Sequence, residues 1–298
     1  MLLAAYNGSK YIEEQIRSIE NQKKVKVTIV ISCDQSTDDT LSIIERLSNE
    51  FGNIILLPYG ERFGGAAPNF YRLLMDVDFG EYDYVALSDQ DDIWLEDKLI
   101  SGVLNLENTN YCCYSCEVMS FWPDGRMKKG HKATQQKKYD YLFEGPGAGC
   151  TFVIKKKIAQ EIQGYFRFNK LQLSGLDWHD WLIYAYARSK GYKWFIDPTP
   201  HMMYRQHGNN VLGANSGFKQ VVKRFKKVED GYAINQSVRT IRFLNLENNT
   251  FVKKWFDGKT VSYIELSKHA RQCRRRINNQ IEFLLSCFLM ALLRTRIE

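Results

Sequence analysis

The sequence predicts an α/β protein: a Rossmann-like, mostly parallel sheet flanked by helices, followed by a helical, basic carboxy-terminal extension. Three observations carry this. The first 95 residues alternate short apolar, β-branched runs with amphipathic helical periodicity three times over. The fourth apolar run, 84–87, breaks abruptly into three carboxylates, Asp89, Asp91 and Asp92. The formal charge of +7 is concentrated at the end of the chain, where 17 Lys and Arg face 7 Asp and Glu from Phe218 onward, against 24 and 27 before it.

Residues 2–5 are the first apolar run, and Ile12, Ile16 and Ile19 recur at helical spacing among polar residues. Residues 25–31 form the second strand, which leads through CDQSTDDT into a helix marked by Leu41, Ile43, Ile44 and Leu47. Ser36 and Thr37 are natural amino-terminal caps for that helix. Residues 53–57 are the third strand, and Pro68 suits the first turn of a helix through Leu73 and Leu74. Strand–helix–strand units on short loops specify parallel pairing with right-handed crossovers. No G-x-G-x-x-G follows the first strand, which argues against a dinucleotide-binding fold.

Beyond Trp94 the pattern changes. A helix spans 95–106, with Asp92 placed to cap it. The stretch NYCCYSCEVMSF reads as a strand, WPDG at 122–125 as a turn, and EGPGAGC at 144–150 as a glycine-rich loop before the apolar run 151–154. In DWHDWLIYAY, Trp178, Trp181, Leu182 and Ala185 share one helical side, with Asp180 near the start. Residues 193–196 and 201–204 are two strands, the second opening into RQHGNN.

A chain of 298 residues, 44% hydrophobic, has a real core. No secretory signal is visible at its start, and seven scattered cysteines fit a reducing compartment. Cys112, Cys113 and Cys116 contain a C-x-x-C without a second pair, so they belong to a strand rather than to a metal site. The basic tail has no base-reading motif, and nucleic acid is not an expected partner.

Ligands bind at the carboxyl ends of strands in open α/β sheets, and a D-x-D there suits a hard divalent cation that also binds phosphate oxygens. A calcium-binding EF-hand loop is excluded. Counting from Asp89, Trp94 stands at the sixth position and Ile100 at the twelfth, where Gly and Glu are required.

The ordered set AAYNGSKYIEEQI, DQSTDDT, LSDQDDIW, GPGAGCTFVI, DWHDW and YRQHG resembles the family 2 glycosyltransferases of the GT-A fold, from near the first residue to about Gly213. DQDDIW, HDW and YRQHG together resemble the bacterial rhamnosyltransferases that build cell-surface polysaccharides. The resemblance implies an inverting transferase that moves a sugar from a nucleoside-diphosphate sugar, dTDP-L-rhamnose first and a UDP-hexose as the alternative, to a hydroxyl of a lipid-linked acceptor. It implies a nucleotide-sugar-binding half at 1–95, an acceptor and catalytic half at 96–215, and a tail at 216–298.

By the same resemblance Tyr6 and Asp34 line the nucleotide pocket, Asp34 accepting a hydrogen bond from the base. Asp89, Asp91 and His207 hold Mg2+ or Mn2+. Gly147, Ala148, Gly149, Trp178, His179 and Arg205 contact substrate, Arg205 placing its charge against the diphosphate, and Asp180 is the catalytic base. Cys33 and Gln35 depart from the family pattern, where Asp and Gly are common, and the first strand starts so close to Met1 that a few residues are expected to precede it.

Two rival classes share part of this pattern. A sugar-nucleotide pyrophosphorylase needs a Gly-rich, Arg-containing phosphate loop after the first strand, which AAYNGSK is not. An inactive carbohydrate-binding or membrane-associated partner is the other. In the tail, Arg271, Arg274, Arg275 and Arg276 precede FLLSCFLMALLRTR, whose apolar stretch 283–293 is short of the ~20 residues that cross a bilayer. It reads either as an interfacial helix on the cytoplasmic leaflet, giving a cytoplasmic protein peripheral on the inner face of the plasma membrane, or as a helix packed on the catalytic domain.

Overall fold

The computed structural model describes residues 1–207, 231–257 and 259–295. Strand β1 (Leu2–Ala5) lies between β2 (Ile29–Cys33) and β4 (Tyr84–Ser88), parallel to both, with Leu2 opposite Val30 on one side and Leu87 on the other. β3 (Ile54–Leu56) adds in parallel outside β2. The helices between them are α1 (Ile12–Glu20), α2 (Thr40–Phe51) and α3 (Ala66–Asp76). β2 starts four residues later than its hydrophobicity suggests, because its short partner β1 first meets it at Val30.

The second half is where the parallel character ends. β8 (Val153–Lys155) joins β4 antiparallel, and β6 (Cys113–Phe121), β9 (Trp194–Arg205) and β5 (Ile93–Trp94) follow, giving the order β3-β2-β1-β4-β8-β6-β9-β5, with β7 (Met127–Lys129) hairpinned onto β6. The hairpin turns at WPDG, where the Gly125 amide donates to the Trp122 carbonyl. The two strands expected at 193–196 and 201–204 are one. Pro198 and Pro200 interrupt its register with β6 instead of ending it. Helices α4 (Lys98–Glu107), α5 (Lys156–Phe168) and α6 (His179–Ser189) complete this half.

Alternating residues send side chains to two apolar layers. Leu3, Ile31, Ala86 and Cys116 face α1, α2 and α4, while Leu2, Val30, Leu87 and Cys113 face α3, α5 and α6. Cys113 and Cys116 therefore point to opposite faces and share no site, and all seven cysteines are free.

From residue 231 onward come α7 (Tyr232–Phe243), α8 (Thr260–Ser267), the short α9 (Ala270–Cys273) and α10 (Ile277–Leu293). The expected boundary at 215/216 lies outside the described residues. The extension shares the core of the second layer. Phe143 meets Phe251, Trp255 and Phe283 at ring-centroid distances of 6.4, 5.4 and 5.0 Å, and Trp255 is fully buried. Phe283, Cys287 and Met290 bury one side of α10. Its opposite side exposes Ile277, Ile281, Leu285, Phe288 and Leu292. No helix among the described residues is long and apolar enough to cross a membrane.

Candidate active site

The sheet order reverses at β1, so the carboxyl ends of β1, β2 and β4 open together at a switch point. Tyr6, Asp34 and Asp89 are the residues immediately beyond those ends. Buried Asn69 of α3 ties two ends together, its Nδ2 donating to the carbonyls of Ser32 (3.0 Å) and Ala5 (3.3 Å). A cleft of about 1360 Å³ runs from here across the glycine-rich loop to the carboxy-terminal extension. Every site residue expected from the sequence except Arg205 lines it: Tyr6, Asp34, Asp89, Asp91, Gly147, Ala148, Gly149, Trp178, His179, Asp180 and His207.

The loops at the donor end are laced by side chains. Asn7 adopts a left-handed conformation, φ 44°, and its Oδ1 accepts from the Thr37 amide at 2.8 Å, while the Asn7 amide donates to Ser36 Oγ at 3.0 Å. Ser36 and Thr37 are thus spent on the β1 loop and do not cap α2. That helix starts at Thr40, whose amide donates to Asp38 Oδ1 at 3.1 Å. Asp34 is 3% exposed, and its carboxylate accepts the amides of Phe63 (2.8 Å), Gln35 (2.9 Å) and Gly64 (3.1 Å). In this structure it fixes the 62–65 loop around the cleft.

Gln90, between the two acids of the D-x-D, was not singled out by sequence. It clamps the first strand's end: its Oε1 accepts the Tyr6 amide and its Nε2 donates to the Tyr6 carbonyl, both at 2.8 Å. A Cβ on Gly8 would lie 2.2 Å from Gln90 Oε1, so glycine there admits the clamp.

β5 follows the acids directly and pairs antiparallel with β9, which carries Arg205 and His207 back to them. His207 Nε2 comes within 2.8 Å of Asp91 Oδ2. Arg205 does not present its charge to the cleft. Its guanidinium pairs with Glu14, its Nε donates to the Asp91 carbonyl at 2.9 Å, and it lies over the rings of Tyr11 and Phe121. Asp92 is not a helix cap. It is 1% exposed and accepts the Arg205 amide at 3.0 Å, and α4 begins later, behind Asp97.

The acids beneath the cleft are poorly compensated. Burial, and then the Asp91 charge, pushes the Asp89 carboxyl up to about 7, and burial raises Asp92 as well. Asp92 Oδ2 has no hydrogen-bond partner, and ligand atoms of Asp89, Asp92 and Cys150 lie within 4.8 Å of one another. An orphaned carboxylate oxygen among crowded acids fits a divalent cation with oxygen ligands. Buried Lys98, its Nζ 3.3 Å from the Trp94 ring centroid and its pKa lowered to about 8 by burial, is the nearby internal cation. No sequence signal marked it, since a lysine in a first helical turn is ordinary.

On the far wall, Asp180 sits in the first turn of α6 with Oδ1 accepting the Trp181 amide at 2.7 Å. Desolvation raises its pKa to about 6, while Lys132 favours the ionised form. His179 is buried, stacks on Phe70 at 4.0 Å, and is held neutral, its pKa lowered to about 3 by burial. A Cβ on Gly149 would come within 2.6 Å of His179 Nε2 and 3.2 Å of Asp180 Cβ, so that glycine lets the start of α6 reach the cleft. Trp178 Nε1 donates to Tyr232 Oη at 3.0 Å, which fastens this wall to α7.

Comparison with known proteins gives the family and the fold. The chain is 40% identical over 288 residues to the dTDP-rhamnosyl transferase RfbG of Shigella flexneri, covering 96% of this chain and 99% of the relative. It is 23% identical over 224 residues, 75% of this chain and 82% of the relative, to the Escherichia coli UDP-Glc:alpha-D-GlcNAc-diphosphoundecaprenol beta-1,3-glucosyltransferase WfaP. Among solved structures, the mannosyltransferase PcManGT of Pyrobaculum calidifontis, in complex with GDP-Man and Mn2+, superposes with a TM-score of 0.52 at 14% identity, covering 98% of this chain and 86% of that one. That likeness is one of fold, the GT-A fold. Residues 2–171 match the family described as glycosyl transferase family 2. With this match over more than half its length, the chain belongs to glycosyl transferase family 2 and is a glycosyltransferase.

Proposed function

We propose that the chain transfers L-rhamnose, with inversion, from dTDP-L-rhamnose to a sugar hydroxyl of a lipid-linked polysaccharide acceptor. The observation that carries this reading is Asp180, a carboxylate tuned to about 6 in the same cleft as the crowded acids Asp89 and Asp91. The 40% identity to a dTDP-rhamnosyl transferase supports the donor. The diphosphoundecaprenol in the name of the second relative supports the acceptor class.

Asp91, Asp89 and His207 would hold Mg2+ or Mn2+, which when bound neutralises charge building on the diphosphate leaving group. Gln90 and Asp34 hold the loops around the nucleotide through Tyr6 and the 62–65 segment. Asp180 takes the proton from the acceptor hydroxyl as its oxygen attacks the anomeric carbon, and the carboxyl's raised pKa matches base catalysis near neutrality. The exposed apolar side of α10, bordered by Arg276 and Arg294 and continued by Val261 on α8, supports docking on an anionic bilayer where such an acceptor resides.

The test is incubation with Mn2+ and a panel of nucleotide sugars. Slow hydrolysis of dTDP-L-rhamnose in preference to UDP-hexoses is the expected result. Turnover of UDP-glucose with dTDP-L-rhamnose untouched would reject the donor, and pyrophosphate-dependent exchange would reject the reaction class.

A further inference from the structure

We propose that the cleft carries a second anion site, made by Lys132, Arg274 and Arg276, which binds the diphosphate headgroup of a lipid-linked acceptor; this rests on the transfer reaction proposed above. These three residues line the same cleft as Asp89 and Asp91 but belong to a wall built from the segment after β7 and the segment between α9 and α10. The donor's diphosphate has its own place at the acidic end. A second cationic group therefore addresses a second anion.

The charges on this wall are incompletely matched. Glu144 is the acid closest to Arg274, with its Oε2 4.0 Å from Arg274 Nη1, but its Oε1 already accepts the Arg275 amide at 2.7 Å and lies 3.3 Å from Arg275 Nε. Glu117 accepts the backbone amides of Lys132 and Ala133. The described residues supply no salt-bridge partner for the Lys132 ammonium or the Arg276 guanidinium, and Arg274 Nε is buried without a hydrogen-bond partner. Cations gathered around Glu144 repel one another, with only Glu282 and Asp180, among the described residues, as further acids acting on Arg274 and Lys132, and an incoming dianion relieves that repulsion while gaining charge-assisted hydrogen bonds.

The path away from this group is apolar. Arg276 is the amino-terminal cap residue of α10, and Ile277, the next residue, is 72% exposed. Ile281, Leu284, Leu285 and Phe288 continue the same helical side, all exposed. A phosphate held at Arg276 thus has a hydrophobic strip beside it for an attached chain, which distinguishes a lipid headgroup from a free phosphate.

The experiment is calorimetric titration of the full chain, in EDTA, with inorganic pyrophosphate and with geranyl diphosphate. Removing divalent cations leaves the Asp89 and Asp91 end repulsive to either probe. Both probes are expected to bind, geranyl diphosphate more tightly, and Lys132→Gln or Arg276→Gln each to weaken binding about tenfold, the scale of one charge-assisted hydrogen bond. Asp91→Asn should leave binding intact or strengthen it. Both cations are solvent-exposed, so the variants should melt like the parent chain. Undiminished binding in both Gln variants, or loss of binding in Asp91→Asn alone, overturns the site, and equal affinity for the two probes overturns its assignment to a lipid headgroup. Hydrolysis of dTDP-L-rhamnose with Mn2+ is read separately, so failure of the donor assignment is distinguishable from failure of this site.

Discussion

His207 Nε2 lies 2.8 Å from Asp91 Oδ2, although 116 residues separate them in the chain. The contact exists because β5, the two-residue strand that follows the acids, pairs with β9 at Met203 and Met202 and so brings the end of β9 back to them. Asp91 is further held by the Arg205 guanidinium on its carbonyl. Replacing His207 by Ala removes the proposed nitrogen ligand and leaves this scaffold in place. Its affinity for Mn2+ with dTDP should drop about tenfold, at the lower end for loss of a supporting metal contact. Asp91→Ala should lose more, because it removes charge as well. Calorimetric titration of Mn2+ and dTDP into both variants checks the order, and equal loss in the two would contradict it.

If Asp180 is the base proposed above, it sets the pH dependence. Its pKa is raised to about 6 by desolvation, so the carboxyl is protonated, and useless as a base, increasingly below that value. At saturating donor and Mn2+, which suppresses protonation of Asp89, kcat should fall tenfold per pH unit below about 6 and be level above it. Asp180→Asn should abolish transfer with little change in donor affinity. A flat profile from pH 5 to 8, or near-normal turnover in the Asn variant, would remove Asp180 from the mechanism.

Gly149 is the tight point between the glycine loop and α6. Gly149→Ala would set its Cβ against the His179 ring, which is buried and stacked on Phe70, and close to Asp180 Cβ. The helix start must then retreat, and Asp180 with it. Overpacking of this kind costs about 1–3 kcal/mol of stability, and an ångström of misplacement costs up to about a hundredfold in rate. Reduced kcat with unaltered dTDP affinity is the expected signature. Gly145→Ala, whose Cβ would meet nothing nearer than 3.7 Å, serves as the control.

The first four strands and their helices were legible because each strand is a short apolar run and each helix shows one buried stripe. Asp89, Asp91, Asp180 and His207 were legible through motif order, and all converge on the cleft. What the sequence did not yield depends on long-range pairing. Gln90 has no local reason to clamp Tyr6, and Ser36 looks like a cap until Asn7 is known to face it. Arg205 stands two residues before His207, yet as the last residue of β9 it is engaged by Glu14, the Asp91 carbonyl and the Tyr11 and Phe121 rings, while His207, past the strand's end, reaches the Asp91 carboxylate. Arg275 is one of four arginines ahead of the apolar stretch with nothing in the sequence to set it apart, yet its side chain is 1% exposed.

That buried arginine yields a stability prediction. Arg275 contacts Glu144 by its backbone amide and Nε, donates Nη2 to the Gly145 carbonyl, and lies 3.8 Å from Asp140, which Arg188 also contacts. Arg275→Met removes the guanidinium from Glu144 and Asp140, leaving Glu144 only the residue-275 amide and the more distant Arg274, and should cost about 3 kcal/mol, the lower end for breaking a buried ion pair. Combining it with Glu144→Gln should cost less than the sum of the two, because the poorly compensated carboxylate is gone. Urea unfolding of the three variants measures the coupling, and strict additivity would mean that the pair does not interact.

Docking on a bilayer makes the last prediction, and its physical source is the unequal treatment of α10's two sides. Phe283, Cys287 and Met290 are spent on the core, whereas Leu285 and Phe288 are 60% and 48% exposed on the other side. Neither of these two helps hold the fold, so Leu285→Glu with Phe288→Glu should leave the melting temperature nearly unchanged. Burying such side chains in the interface is worth about 1–2 kcal/mol each, and the new carboxylates add repulsion from anionic lipid. The parent chain should float with vesicles of phosphatidylglycerol and phosphatidylethanolamine at low salt, and the double variant should stay in the dense fraction. If the parent chain also stays there, the exposed side of α10 does not bind lipid. If both float, basic residues alone hold the protein to the surface and the apolar strip has no part in it.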